Sequence, residues 1–307
     1  MTDWHVLGAG ALGCLWAANL YKSGHGVELL LKDQQGLAEF RLVDGITLVK
    51  QEIEELLPVT ASVVETGATA LSHLLITTKA HQTMNALDKV ISRMSAECIL
   101  LLVQNGMGVA EQIQNRLPDH RLFCGVTTDG AYCPEPYTVV YAGAGNTYIG
   151  SIGNQADPAP LLDKLPVEYM EIKCCDDIVD RQWQKLAVNC AINGLTVIFH
   201  CRNGELLNIP KAKLRLRKLC NEIALVGKAI GYHEWEQSLY SNTESVIRLT
   251  AANYSSMYQD IENRRRTEID YINGYLLKQA EELGIACPEN EKLYEEIKEK
   301  EMLLGCT

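Results

Sequence analysis

No apolar run in the sequence approaches the roughly 20 residues that a membrane-spanning helix needs. The longest, from Ile99 to Val103, has the length of a strand. The opening MTDWHVLGAGALG has no basic stretch followed by an apolar core and a small-residue cleavage site, so it does not read as a leader. A cytoplasmic location is expected. Nor do the eleven cysteines contain a C-x-x-C pair. An odd number of thiols with no such spacing argues for free cysteines in a reducing compartment, against a disulfide framework and against a structural metal. Basic charge is also short: the formal net charge is -11. A surface that acidic repels nucleic acid phosphate and anionic lipid, so neither is an expected partner. Any anionic ligand must be caught by a few local Lys, Arg or backbone N–H groups. The sequence contains no internal repeat.

What is present is enough chain for two domains: 307 residues, 47% hydrophobic and 22% charged, the balance of an ordinary globular protein. The first half alternates short runs rich in Val, Ile and Leu, at 4–7, 27–31, 73–78 and 98–103, with helical patterns at 11–23, 82–94 and 108–116. Such alternation predicts a parallel sheet with both faces covered. Short strands punctuated by glycine follow at 139–141 and 147–149, suited to antiparallel pairing at a sheet edge. From about residue 177 the pattern is helical, over 178–199, 210–230, 234–254, 258–284 and 289–302, with Pro288 where the last helix would begin. The charged stretch 289–301 reads as a solvated helix. The expected fold is therefore α/β: an N-terminal domain over 1–172 built on a parallel sheet, and an all-helical C-terminal domain over 173–307.

The strongest local motif is Gly8-Ala9-Gly10-Ala11-Leu12-Gly13, directly after the first strand and opening the first helix. In a dinucleotide-binding turn the first glycine allows the tight bend and the second lets backbone approach the pyrophosphate. The third lets helix pack on strand. The helix N-terminus adds N–H groups and partial positive charge. An acidic residue ending the second strand would hold the ribose of NAD, and a basic one tolerates the extra phosphate of NADP. Here that strand runs into Lys32-Asp33, so both readings stand. Lys32 is favoured, because Lys79 ends another strand and could approach the same edge. The chain also places Asn105, among flexible glycines, after the strand at 98–103, where ligands of open α/β sheets sit.

In the helical half, Lys185, Asn189 and Asn193 are spaced by four and share one helix face. Leu186, Ala187, Val188, Ala191, Ile192 and Leu195 around them are apolar. A row of one amine and two amides on so apolar a helix has to be satisfied by other side chains or by a polar anionic ligand, since unpaired buried polar groups cost roughly 1–3 kcal/mol each. The paired Ser255 and Ser256, poor helix formers, suggest a break or a helix start with donors free for a carboxylate. Glu268 on its own pattern reads as a surface partner of Arg264 or Arg265.

Taken together, G-A-G-A-L-G, T-K-A-H-Q at 78–82, Q-N-G-M-G at 104–108, K-L-A-V-N-C-A-I-N at 185–193, N-G-E-L at 203–206, S-S-M-Y-Q-D-I and T-E-I-D-Y-I-N-G resemble the ketopantoate reductase family. The likeness runs in order over nearly the whole chain. It implies a Rossmann domain, a helical domain, a cleft between them, and reduction of 2-dehydropantoate to (R)-pantoate with NADPH on the way to pantothenate and coenzyme A. Carried over by position, Lys185 resembles the catalytic general acid and Glu268 its supporting carboxylate. The substrate contacts resemble Lys185, Asn105, Asn189, Asn193, Asn203 and Ser256. The cofactor contacts resemble Gly8, Ala9, Gly10, Ala11, Leu12, Gly13, Lys32, Lys79, Asn105 and Ala131. Two positions depart from the family: Lys32 stands where Arg is frequent and lacks its bidentate grip, and Gly194 stands where Pro is frequent, which is expected to loosen the pocket. Alternatives are a reductase of another branched 2-keto acid and a non-catalytic NADPH sensor. The expected partner is a small 2-keto acid, and the chain is expected to be a monomer or a homodimer.

Overall fold

A computed structural model describes residues 3–67, 70–154 and 156–306. The chain divides into two compact units. The first, Met1–Gln104 with Val109–Arg181, holds every strand found among the described residues. In order it contains β1 (Trp4–Leu7), α1 (Ala11–Lys22), β2 (Val27–Leu31), α2 (Gln34–Val43), β3 (Ile46–Lys50), β4 (Ile53–Leu57), β5 (Thr60–Val63), β6 (Leu71–Ile76), α3 (Ala80–Asp88) and β7 (Met94–Val103). After residues 105–108 come α4 (Val109–Arg116), β8 (Arg121–Thr127), β9 (Gly130–Glu135), β10 (Thr138–Gly143), β11 (Asn146–Ser151), α5 (Ala159–Leu162) and β12 (Glu171–Cys174).

Eight strands form one sheet in the order β12-β11-β8-β7-β6-β1-β2-β5. The six from β5 to β8 run parallel. Numbered among themselves they follow 3-2-1-4-5-6, the doubly wound dinucleotide-binding order, whose switch point lies beside β1. β1 and β2 are buried at every position, which is why they read as unbroken apolar runs rather than alternating ones. The sheet edge is completed by β11, antiparallel to β8 as its glycine-punctuated sequence suggests. β10 goes elsewhere. It joins a second sheet, β4-β3-β10-β9, pairing antiparallel with β9 and parallel with β3. Helix α1 touches strands of both sheets, and Gly13 through Leu20 are all buried. Leu15, Trp16 and Leu20 have no exposed surface, each contributing on the order of 1.5–3 kcal/mol by burial.

The second unit, Asn105–Gly108 with Gln182–Thr307, is helical. Its elements are α6 (Ile178–Phe199), whose first turn belongs to the first unit, α7 (Pro210–Ala229), α8 (Trp235–Leu249), α9 (Ser256–Glu262), α10 (Asn273–Glu282) and α11 (Pro288–Leu304). α6 covers the segment that periodicity marks. The single helix expected over 258–284 does not form. α9 ends at Glu262, Arg264 takes a left-handed φ of 52°, and only a 3-10 turn at Ile269–Tyr271 precedes α10. α11 begins at Pro288 and stops at Gly305 with φ 62°. It is not solvated all round, because Asn290, Leu293, Ile297 and Glu301 form a buried stripe. The compact units part between Arg181 and Gln182, whereas the sequence pattern divides the chain after 172. Residues 105–108 pack with the helices because the Met107 N–H donates to the Tyr271 carbonyl at 2.9 Å.

Among the described residues no helix is long and apolar enough to cross a membrane. Among the described residues no cysteine forms a disulfide.

Candidate active site

The site residues fall into two groups, one in each unit. In the first, β1 ends at Leu7 and the chain turns through Gly8 at φ 114°. A Cβ at Gly8 would lie 2.7 Å from the Thr78 nitrogen, and one at Gly13 would lie 1.8 Å from the Gly8 carbonyl oxygen. Both glycines are therefore steric requirements of the turn. Gly10 differs: a Cβ there would meet no atom within 4 Å, and its φ is -82°. It leaves open space in front of α1. No side chain caps that helix, so the N–H groups after Gly10, at Ala11, Leu12 and Gly13, can be offered to an anion. The turn is braced by Thr77, whose hydroxyl donates to the Gly8 carbonyl at 2.9 Å. Next to it the Thr78 and Thr83 hydroxyls are 2.9 Å apart, and Thr83 donates to Gln104 Oε1 at 3.1 Å. The sequence places Gln104 at this strand end beside Asn105, whereas Thr77, Thr78 and Thr83 were not among the expected contacts; a hydroxyl pair directly after a buried strand was the signal.

At the end of β2, Lys32 is exposed. Asp33 already has work: its Oδ1 accepts the Gly36 N–H at 2.9 Å as the N-cap of α2. Lys79 is half-buried at the N-cap of α3. Ala131 lies on β9 opposite Tyr141, in the second sheet. Beside it Asp129 accepts from the Tyr141 hydroxyl at 2.5 Å, the Gly145 N–H and the Thr147 hydroxyl. Burial and that hydrogen bond push the Tyr141 phenol well up, so it stays a neutral donor.

In the helical unit, Lys185 and Asn189 are half-buried on α6 and Asn193 is buried. Cys190, one residue on from Asn189 and so turned away from the row, has no exposed surface, and burial pushes its thiol far up. So buried a thiol is an inert packing group. Asn193 is tied in through its backbone: its carbonyl accepts from the Thr196 hydroxyl at 2.8 Å and from Ser255 Oγ at 3.4 Å. Ser255 is the buried N-cap of α9, accepting the Tyr258 N–H at 3.0 Å and lying 2.7 Å from Thr196 Oγ1. The serine pair does start a helix. Ser255 joins that helix to α6, and exposed Ser256 is left as its first residue. Asn203 is buried, with Nδ2 donating to Thr250 Oγ1 at 2.9 Å and Oδ1 without a partner. Such an orphaned acceptor is open to a donor from water or from a ligand.

Glu268 is 4% exposed. The expected surface pairing with Arg264 or Arg265 is thus wrong; Arg265 pairs with Asp260 at 3.3 Å instead. Pattern could not show this, because Glu268 lies in the irregular stretch between helices where spacing carries no facing information. Asn105 approaches it, with Nδ2 3.5 Å from Glu268 Oε2. Gly106, φ 81°, lets the strand's exit loop press against Tyr271, where a Cβ would come within 2.6 Å of the carbonyl oxygen. Gly194 packs on α11: a Cβ would lie 2.9 Å from Leu293. Leucine therefore fills the space beside Gly194.

Among the described residues no group of three His, Cys, Asp or Glu side chains is placed to hold a metal ion. A strained glycine turn at the switch point of a doubly wound sheet, with a separate helical unit carrying an amine, amides and a buried carboxylate, defines an oxidoreductase of the dinucleotide-binding class. The family model described as ketopantoate reductase PanE/ApbA matches residues 4–154, and its C-terminal counterpart matches 177–301. The chain belongs to the ketopantoate reductase family. It is 39% identical over 297 residues to the 2-dehydropantoate 2-reductase of Yersinia pestis, covering 96% of this chain and 94% of that one. Among solved structures, D-mandelate dehydrogenase with NADH and anilino(oxo)acetate superposes with TM-score 0.90 at 26% identity, covering 99% of this chain and 100% of that one. A PanE/ApbA family ketopantoate reductase from Ralstonia eutropha JMP134 gives TM-score 0.88 at 23% identity, covering 98% and 99%, a likeness of fold alone.

Proposed function

We propose that this protein reduces 2-dehydropantoate to (R)-pantoate with NADPH, a step of pantothenate and coenzyme A formation in the cytoplasm. The observation that carries the reading is the buried Glu268 carboxylate with the Asn105 amide beside it, in a chain 39% identical to a 2-dehydropantoate 2-reductase. A carboxylate so buried is costly to keep unless it has a charged or polar task.

The glycine turn fits a dinucleotide: open space at Gly10 and uncapped N–H groups on α1 suit a pyrophosphate. Gly8 to Gly13, Lys79, Asn105 and Ala131 would hold the cofactor, and Lys32 its 2′-phosphate. That one Asp33 oxygen is engaged in capping supports Lys32 over an NAD-reading aspartate. When bound, the nicotinamide supplies the hydride for C2 of the substrate.

The chain's own residues supply the rest. Lys185 is the general acid: its ammonium hydrogen-bonds the C2 carbonyl oxygen, stabilises the negative charge that develops there, and gives it a proton from Nζ. Glu268 orients that amine and balances its charge. Asn105, Asn189, Asn193 and Asn203 hold the substrate's oxygens and hydroxyl. The unpartnered Asn203 Oδ1 suits a hydroxyl donor. Ser256 receives the carboxylate.

A second reading, a reductase of another 2-keto acid, is favoured by the 26% identity and TM-score of 0.90 to D-mandelate dehydrogenase. One assay separates the two: loss of NADPH or NADH absorbance with 2-dehydropantoate, 2-ketoisovalerate, 2-ketoisocaproate and benzoylformate. A kcat/KM highest for 2-dehydropantoate with NADPH is expected. A higher value for any other acid transfers the assignment to that acid, and no oxidation of either cofactor rejects catalysis.

A further inference from the structure

The last helix carries a carboxylate that the reaction above does not use. Glu301, near the end of α11, is 6% exposed. An acidic side chain rarely leaves water unless charge and hydrogen bonds compensate it. Here they do. Its Oε1 accepts the backbone N–H of Thr267 at 2.6 Å, and its Oε2 pairs with Lys298 at 3.1 Å. Lys298 also reaches Asp270 Oδ2 at 3.2 Å. Asp270 in turn accepts from the Tyr294 hydroxyl at 2.7 Å and from Arg266 at 2.9 Å. α11 therefore grips the backbone just before Glu268 and the side chain two residues after it.

That grip matters because of where Glu268 sits. Residues in a helix have their direction set by the helix's own ladder. Glu268 precedes a three-residue 3-10 turn and follows the left-handed Arg264. Its carbonyl is held locally by the Tyr271 and Ile272 N–H groups, but on its N-terminal side the anchor is long-range: the buried Thr267 amide has Glu301 as its acceptor. We propose that Glu301 is a positioning residue: through the Thr267 N–H it sets the direction in which the Glu268 carboxylate projects. This rests on the reading of Glu268 as the carboxylate that supports Lys185.

The test is a double-mutant cycle on the full chain, with 2-dehydropantoate and NADPH as probes. Steady-state kinetics, NADPH Kd and melting temperature are measured for Glu301→Ala, Glu301→Gln, Glu268→Gln and the Glu268→Gln/Glu301→Ala pair. Misplacing a catalytic group by about 1 Å can cost on the order of 10²-fold. Glu301→Ala should therefore lower kcat/KM about that much while leaving NADPH Kd unchanged. Glu301→Gln keeps an oxygen for the Thr267 N–H and should recover most of the loss. In the Glu268→Gln background, removing Glu301 should cost almost nothing further, because the two act as one unit. An equal loss in both backgrounds, or a Gln variant as poor as the Ala variant, overturns the proposal. If Glu301→Ala does not fold, Glu301→Asp, which draws the carboxylate back by one methylene, closes the same cycle with the same criteria. Native turnover by Glu268→Gln would instead bring down the role of Glu268 itself.

Discussion

Replacing Gly10 by alanine separates cofactor binding from folding. In the free protein the substitution is nearly silent: the added Cβ meets nothing within 4 Å, and φ -82° with ψ -171° is backbone that alanine adopts freely. Alanine is a poorer N-cap than glycine by roughly 0.5–1 kcal/mol. It also narrows the unfolded ensemble, returning about 0.4–1 kcal/mol. The two nearly cancel, so the melting temperature should move by less than about 4 °C. In the complex the methyl occupies the space where phosphate must approach the N–H groups of α1. Loss of one charge-assisted hydrogen bond there, about 1.5–3 kcal/mol, raises Kd for NADPH roughly 10- to 150-fold. Gly13→Ala is the contrasting case. Its Cβ would lie 1.8 Å from the Gly8 carbonyl oxygen and 2.7 Å from Thr77 Oγ1, and backbone rather than a flexible side chain must yield. Overpacking of that kind costs about 1–3 kcal/mol, so this variant should lose several degrees of melting temperature as well as affinity. Fluorescence titration with NADPH and thermal melts, run on both variants, read the two effects apart. Native NADPH affinity in Gly10→Ala, or a native melting temperature in Gly13→Ala, would refute the assignment of the turn.

Lys185→Ala should retain NADPH affinity and lose roughly 10²–10⁴-fold in kcat, the size of a general-acid contribution; an unchanged kcat in stopped-flow or steady-state assay removes it from that role. Lys32→Ala should lower the preference for NADPH over NADH, measured as the ratio of kcat/KM values, while leaving NADH kinetics near native. Burial pushes the Asp270 carboxyl up, but hydrogen bonds from Arg266, Tyr294 and Lys298 more than offset this and hold it below the usual range. A carboxyl depressed in the folded state stabilises above its unfolded pKa and loses that contribution as pH falls through the folded value. Asp270→Asn should therefore melt lower than the native chain at pH 7, with the gap closing below about pH 4; a gap that widens in acid contradicts the sign.

Much of the architecture was legible because burial was two-sided or one-sided in a regular way. β1 and β2 are apolar at nearly every residue, and α6 keeps its polar row at a spacing of four against an apolar surround. What escaped lacked such contrast. β4 reads Ile-Glu-Glu-Leu-Leu and is exposed at four of its five positions, so no alternation marks it. The break between α9 and α10 contains neither Gly nor Pro, and Ile261, Ile269, Ile272 and Leu276 continue a helical rhythm across it. In α11 the buried stripe is half polar, Asn290 and Glu301 with Leu293 and Ile297, so composition counted its inward face as solvent-facing. The amine-and-amide row could be placed on a helix from spacing. The burial of Glu268 could not, since it lies outside any helix and its neighbour Thr267 is anchored by Glu301, a residue far along the chain.

The assignment of Asn105–Gly108 to the helical unit has a bearing on how such chains can be recombined. These four residues interrupt the sheet-bearing sequence, yet Met107 bonds Tyr271 and Gly108 lies against the ring of Tyr275. A hybrid spliced once, near the end of the strand-rich half, would bring this tetrapeptide from one parent and its aromatic seat from the other. Grafts that respect the fold need three junctions, and inheritance of the two pieces should be expected to go together.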